Sequence, residues 1–337
     1  MRAIVVERPG DLGALRLADV PEPTPVLGHE LVTVTRAGVN FADISMRENG
    51  HLLPVEYPFI PGCELVGIAP DGRRVVALVS SGAYAEKALV PSNLTWDVPD
   101  YITDDQACAL ALWGQSAWHM LFTRLQVKLG ETILIPAAAG GLGSLALQLA
   151  LGGGRKVIAL ENGEHRKRIV RDLGAHAVVD TSTTDDLTER ILDAAGGPVD
   201  AAMAVAGSPT LMPTLEALAP LGRMTVFGCG ARKEEPRLLN ALVSGSRTVS
   251  GFWLPNLFSD PKHPYPLMAS MEQLFRDTKD GRIKPIIGVV HSLESAVWAH
   301  MAVEEGRTCR TAGKIMLDPT EGVQHATRPA DQPFVGW

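Results

Sequence analysis

One stretch, Glu131 to Ala150, constrains this chain more than any other. It opens on a short apolar run, Ile133 to Ile135, of the length of a buried parallel strand. A turn of small residues follows, Ala138-Ala139-Gly140-Gly141-Leu142-Gly143, and an Ala/Leu/Gln run with helical spacing continues from Leu142. The turn is an A-x-G-x-x-G variant of the dinucleotide fingerprint. Small residues there permit a tight turn, close backbone approach to a pyrophosphate and close helix–strand contact. The helix start then offers unpaired N–H groups and a positive dipole end to phosphate. Ala138, Gly140, Gly141, Leu142 and Gly143 are therefore the candidate diphosphate contacts. A glycine turn alone is a weak signal, and its surroundings decide.

Those surroundings repeat the pattern. Arg155 to Leu160 reads as a second strand, and Glu161 ends it roughly 20 residues beyond the glycines, where a ribose-binding acid is expected. A polar helix, Glu164 to Leu173, stops at Gly174, a natural C-cap, and Ala177 to Asp180 is a third strand. Val199 to Val205 and Gly222 to Gly228 read as further strands, with Ala206 and Gly228 at the carboxyl edge where open α/β sheets bind ligands. Thr248 to Trp253 reads as the last strand, with Phe252 and Trp253 able to bound a ring. The expected class is α/β, a Rossmann doubly wound parallel sheet.

Composition removes other classes. The 337 residues carry a net charge of −7 without a basic block, which excludes nucleic acid as a partner. No apolar run reaches membrane-spanning length, and Met1 to Val6 begins a strand rather than a signal peptide. The four cysteines, Cys63, Cys108, Cys229 and Cys309, are scattered without a C-x-x-C pair, as fits a reducing cytoplasm. No G-x-S-x-G and no Cys with a plausible His partner suggest nucleophilic catalysis.

Residues 1 to about 110 read as mostly β, with short runs at Ala3–Val6, Leu31–Ala37, Leu65–Ala69, Arg74–Val79 and Ala83–Val90. Such spacing suggests a partly closed barrel. Two segments here, Arg36-Ala-Gly-Val-Asn-Phe-Ala-Asp-Ile-Ser-Met-Arg47 and Pro58-Phe-Ile-Pro-Gly-Cys-Glu-Leu-Val-Gly67, resemble the paired motifs of the medium-chain dehydrogenase/reductase superfamily. The G-V-N-F-A-D form is similar to its zinc-independent quinone oxidoreductase (zeta-crystallin-like) branch. The resemblance runs from Met1 to about Asp318. It implies a GroES-like barrel from residues 1–115 and 293–337, a Rossmann domain over 116–292, and a homodimer joined through the nucleotide domain.

Zinc-dependent relatives place Cys where Asn40 stands and His where Cys63 stands. An amide is a poor zinc ligand, and one thiol beside Glu64 does not make a three-ligand site, so no metal is expected. His29, in Gly28-His29-Glu30, lies in a loop before a strand and reads as a surface residue.

The resemblance also assigns roles. Asn40 would hold the nicotinamide or ribose side. Gln115 and Ser116, in Trp113-Gly-Gln-Ser-Ala-Trp118, would face the nicotinamide; the tryptophans equally suit core packing and the polar pair helix capping. Lys314 stands where relatives set a basic residue against the pyrophosphate, although a strand-edge lysine is ordinarily solvated. Tyr57 and His51 are the proton-donor candidates.

Cofactor choice stays open at this point. NADPH users of the branch carry a small or apolar residue at the Glu161 position and Lys at the Arg166 position. The resemblance thus favours NADP, with Arg166 or Arg168 on a 2′-phosphate. Glu161 favours NAD, since a carboxylate accepts from ribose hydroxyls and repels a phosphate. The implied reaction is hydride transfer to a quinone or enone, which needs no metal Lewis acid. An enoyl reductase acting on a thioester or polyketide intermediate is the alternative, and a non-catalytic nucleotide-binding partner protein is another.

Overall fold

Residues 1–228, 237–259, 267–305 and 312–320 are described by the structure, a computed structural model. β1 (Arg2–Val6) and β2 (Leu15–Asp19) form an antiparallel pair. β3 (His29–Val39) then leads into α1 (Phe41–Arg47). β4 (Glu64–Ile68), β5 (Arg74–Leu78), β6 (Lys87–Pro91) and β7 (Thr95–Asp97) follow. β3 is the spine of this half, pairing β4 on one side and both β6 and the last strand on the other.

A continuous helical run crosses to the second half. It comprises α2 (Asp104–Ala109), a π-turn over Leu110–Gly114, α3 (Gln115–Trp118) and a second π-turn over His119–Arg124. Its start is a capping box: the Thr103 hydroxyl accepts from the Gln106 amide at 3.2 Å and Gln106 accepts from the Thr103 amide at 3.0 Å. The cap is therefore Thr103, with Asp104 and Asp105 in the first turn. The anticipated boundary at 115/116 falls inside this run.

The nucleotide half alternates strand and helix: β8 (Thr132–Pro136), α4 (Gly141–Gly152), β9 (Lys156–Glu161), α5 (Glu164–Asp172) and β10 (Ala177–Asp180). Then come α6 (Leu187–Ala195), β11 (Val199–Val205), α7 (Leu211–Glu216), β12 (Leu218–Phe227), α8 (Arg237–Ser244) and β13 (Thr248–Gly251). The six strands are all parallel, in the order β10-β9-β8-β11-β12-β13. Connections reverse direction between β8 and β11, which makes the carboxyl end of β8 the switch point where such sheets bind ligands. Ile133, Leu134 and Ile135 are wholly buried, as a central strand covered on both faces requires.

The chain returns through α9 (Asn256–Ser259), α10 (Leu267–Lys279), β14 (Ile287–Ser292), α11 (Ala296–Glu305) and β15 (Lys314–Asp318). β14 pairs with β15 in the barrel sheet, so the return to the first half precedes the expected position 293. Most of the proline-rich loop after Leu254 and the tail from 321 lie outside the described residues, as do Cys229 and Cys309. One apolar cluster joins Val66, Val76 and Trp96 of the barrel to Leu110 and Met120 of the helical run and Ile133 and Leu145 beyond. The two halves thus share core, and the run fixes the cleft between them.

Candidate active site

The glycine turn begins where Ala137 takes a positive φ of 47° and its carbonyl accepts from Gly140 N at 2.9 Å. A Cβ on Gly143 would stand 2.3 Å from that carbonyl oxygen, so only glycine closes the turn. Ser144 N bonds back to Gly140 O at 2.8 Å, and the amides of Gly141, Leu142 and Gly143 precede that first helical bond. Gly140 also bridges in parallel to Gly313, which brings the start of β15 against the turn. Ala206 and Gly228 lie at the ends of β11 and β12, on the same edge, where Ala206 N bonds Phe227 O at 2.8 Å.

Glu161 is neither open to a ribose nor turned to solvent. It is 5% exposed, and its carboxylate accepts from Arg166 Nε at 2.9 Å and Nη2 at 3.0 Å. The amides of Ala139, at 2.8 Å, and Asn162, at 3.0 Å, also donate to it. A carboxylate has about four acceptor positions, and here they are committed. The pair ties α5 to the glycine turn, with Arg166 Nη2 3.8 Å from where a Gly140 Cβ would be. Arg168 is exposed on the same helix.

Beside the turn lies a buried cluster that sequence reasoning did not assemble. Lys314 and Glu64 are fully buried and ion-paired. Lys314 also donates to Asn40 Oδ1 at 2.8 Å, and Asn40 Nδ2 donates to Glu64 at 3.0 Å. The second Glu64 oxygen accepts from Leu112 N at 2.7 Å, within the first π-turn, a feature often found at functional sites. The indole of Trp113 covers the Lys314 ammonium, 3.9 Å from ring centroid to nitrogen. The structure thus gives both candidates protein partners and rules out the solvated alternative for Lys314. Asn40 is 2% exposed with both amide ends engaged, and Lys314 points to Glu64 rather than standing solvated at a strand edge.

Gln115 requires a further correction. Its side chain is fully buried and turned to α10, donating to Leu267 O at 2.9 Å and accepting from Ser270 Oγ at 2.6 Å. His119 Nε2 also meets Ser270 Oγ, at 3.1 Å. Gln115 is therefore part of the packing against α10, and Ser116 beside it is buried.

The cleft is crossed by one ring contact, His51 to Trp253, with centroids 6.2 Å apart. His51 Nδ1 accepts from Leu53 N at 3.3 Å, which leaves the ring proton of the neutral tautomer on Nε2. Burial draws the His51 pKa below its ordinary 6.5, against the raising effect of the Leu53 bond. Tyr57 instead donates its hydroxyl proton to Met46 O at 2.5 Å, and burial raises its pKa. Phe252 packs against the core rather than lying free.

Asp43, within the Arg36–Arg47 motif, anchors a second buried network. It accepts from Asn40 N at 2.8 Å, Tyr84 Oη at 3.0 Å and Gly62 N at 3.2 Å. The Cys63 thiol contacts it at 3.5 Å. Burial raises the Asp43 pKa to about 6 despite those donors. Burial and the Asp43 charge push the Cys63 thiol and Tyr84 phenol well up. His300 Nε2 meets Tyr84 Oη at 3.3 Å and His300 Nδ1 meets Arg47 at 3.3 Å.

A Rossmann half, a barrel half and a cleft at the switch point between them define the medium-chain dehydrogenase/reductase architecture. A family described as zinc-binding dehydrogenase matches residues 141–271. The quinone oxidoreductase of Rattus norvegicus is 30% identical over 313 residues, covering 89% of this chain and 93% of that protein. A mycobacterial protein solved with NADPH is 30% identical with a TM-score of 0.86, covering 95% of this chain and 100% of that one. The Escherichia coli quinone oxidoreductase, also solved with NADPH, is 26% identical with a TM-score of 0.86, covering 95% and 100%. This chain belongs to the quinone oxidoreductase family of the medium-chain dehydrogenases/reductases. Among the described residues, no group of three or more His, Cys, Asp or Glu is placed to hold a metal ion, and no helix is long and apolar enough to cross a membrane.

Proposed function

We propose that this chain uses NADPH to reduce a quinone or an α,β-unsaturated carbonyl compound, without a metal ion. The observation that carries the reading is the glycine turn at the switch point with the Glu161–Arg166 pair seated beside it. The nicotinamide, when bound, supplies the hydride. The chain's own residues bind it, orient it and keep water from the cleft.

The start of α4 suits the diphosphate, through amides not used by the helix. Glu161 has its acceptor positions filled, so the adenosine end is better matched by a 2′-phosphate on Arg166 and exposed Arg168 than by ribose hydroxyls on a carboxylate. Both solved relatives named above hold NADPH, which supports the same choice. At the acceptor end, His51 is the better hydrogen-bond donor, because its Nε2 has no protein acceptor among the described residues while the Tyr57 proton is spent on Met46. A neutral imidazole there stabilises negative charge developing on the acceptor oxygen.

Metal independence is supported by donor chemistry. Asn40 and Glu64 are already satisfied by the Lys314 ammonium, and Cys63 alone is not a ligand set. A second copy of this chain is the proposed partner, docked along the edge strand β13, near which Leu221 and Val243 are exposed at 73% and 80%.

Paired titrations with NADPH and NADH, followed by nicotinamide fluorescence, test the reading. Tighter NADPH binding with turnover of a quinone or enone is expected. Binding of neither coenzyme, by the wild type or by variants in which the glycine turn is uncovered, overturns it.

A further inference from the structure

The place where a diphosphate approaches α4 is already filled by a side chain. The six-membered ring of Trp113 lies on Gly141, the first residue of the helix, so closely that a Cβ there would stand 1.3 Å from a ring carbon. The Lys314 ammonium also lies over this indole, 3.9 Å from the ring centroid. Trp113 is only partly buried, and no hydrogen bond holds its indole N–H among the described residues. One flat ring therefore covers both features that would attract phosphate, the helix start and the lysine. It is held by contact and a cation–π interaction alone.

We propose that Trp113 is an aromatic plug in the diphosphate seat, and that the coenzyme binds by displacing it. This rests on the coenzyme reading above. The competition is physical: anionic oxygens and an indole cannot both lie on Gly141, and each would take the same face of Lys314. Gly141 is glycine because the ring needs that surface, and the π-turn at Leu110–Gly114 sets Trp113 over it while giving the Leu112 amide to Glu64. The plug leaves without breaking a hydrogen bond, so its cost to binding is the fraction of molecules in which the seat is open. Apparent affinity falls by that fraction.

The test compares wild type with W113A and W113F, using NADPH and, for indole emission, NADP⁺. The expected result is NADPH binding to W113A about tenfold tighter than to wild type, with W113F between them. NADP⁺ should also change the wild-type tryptophan emission by an amount that W113F lacks. If wild type binds neither coenzyme but W113A does, the plug is supported in its strongest form. If wild type binds and a folded W113A, judged by an unchanged circular dichroism spectrum, binds no tighter, the plug is overturned and the coenzyme reading stands. If W113A misfolds, W113F and the emission difference decide by the same criteria. Absence of binding in all three proteins overturns plug and coenzyme reading together.

Discussion

Lys314 and Glu64 stand 250 residues apart in the chain, yet they form an ion pair with no exposed surface on either side chain. β3 lies between their strands, and its Gly38 leaves the room: a Cβ there would meet a Glu64 oxygen at 2.1 Å. Breaking one partner of such a pair strands the other charge in the core. K314A is expected to destabilise the fold by about 3–5 kcal/mol, whereas the apolar pair E64L/K314M should lose far less. Urea melts at pH 7 measure both, and equal losses would contradict the account.

Acid stability follows from three buried groups. Burial pulls His119 to about 4 and His300 to about 3 from 6.5, with Arg47 adding to the latter, while it raises Asp43 from 3.8 to about 6. Between pH 6 and 4 the unfolded chain binds more protons through the two histidines, which lowers stability on acidification. The folded chain binds one more through Asp43, which opposes that fall. The less completely buried His51 and His291, which burial also lowers, add to the histidine side, so the net effect is a loss of stability on acidification. D43N removes the opposing group, so its urea midpoint should fall more steeply than that of wild type from pH 6 to 4. Parallel slopes would refute the assignment.

The two donor candidates separate kinetically. H51A should lower kcat with a quinone acceptor by about 100-fold, since its Nε2 proton is the one offered to the cleft. Y57F should change kcat by less than about threefold, because its hydroxyl serves Met46 O. Wild-type turnover should be flat above pH 6.5, where His51 stays neutral. Steady-state kinetics on the two variants, at pH 6.5 to 8, check all three statements.

Coenzyme choice has its own variants. R166A should weaken NADPH relative to NADH by roughly 10–100-fold, the worth of one charge-assisted hydrogen bond. E161Q keeps the shape of the acid and removes its charge, so it should strengthen NADPH more than NADH. Fluorescence titrations give the ratios, and an R166A ratio equal to that of wild type would remove Arg166 from the phosphate site.

The nucleotide half was legible in the sequence because its signals are local. Ile133 to Gly143 states strand, turn and helix start within a dozen residues, and Glu161 follows at a fixed interval. The rest depends on contacts between distant segments. Nothing near Lys314 in the chain announces Glu64, and Gln115 faces α10 because the π-turns rotate the run by an amount that side-chain spacing does not encode. β2, β7 and α1 are too short for periodicity to register. β14 is half-exposed and gains its identity from pairing with β15. Glu161 stands at the end of β9 as expected, but its pairing with Arg166, in the first turn of α5, is not legible because nothing in the spacing says which way that side chain points.

The backbone bridge from Gly140 to Gly313 joins the two halves beside the turn. Any rocking of barrel against nucleotide sheet therefore has its fulcrum at the diphosphate end, with little travel there. The link from His51 to Trp253 is a ring contact without a hydrogen bond, so it parts more readily than the backbone bridge. A molecule of this build can exchange one reactant through a widening mouth while its grip on the other hardly changes.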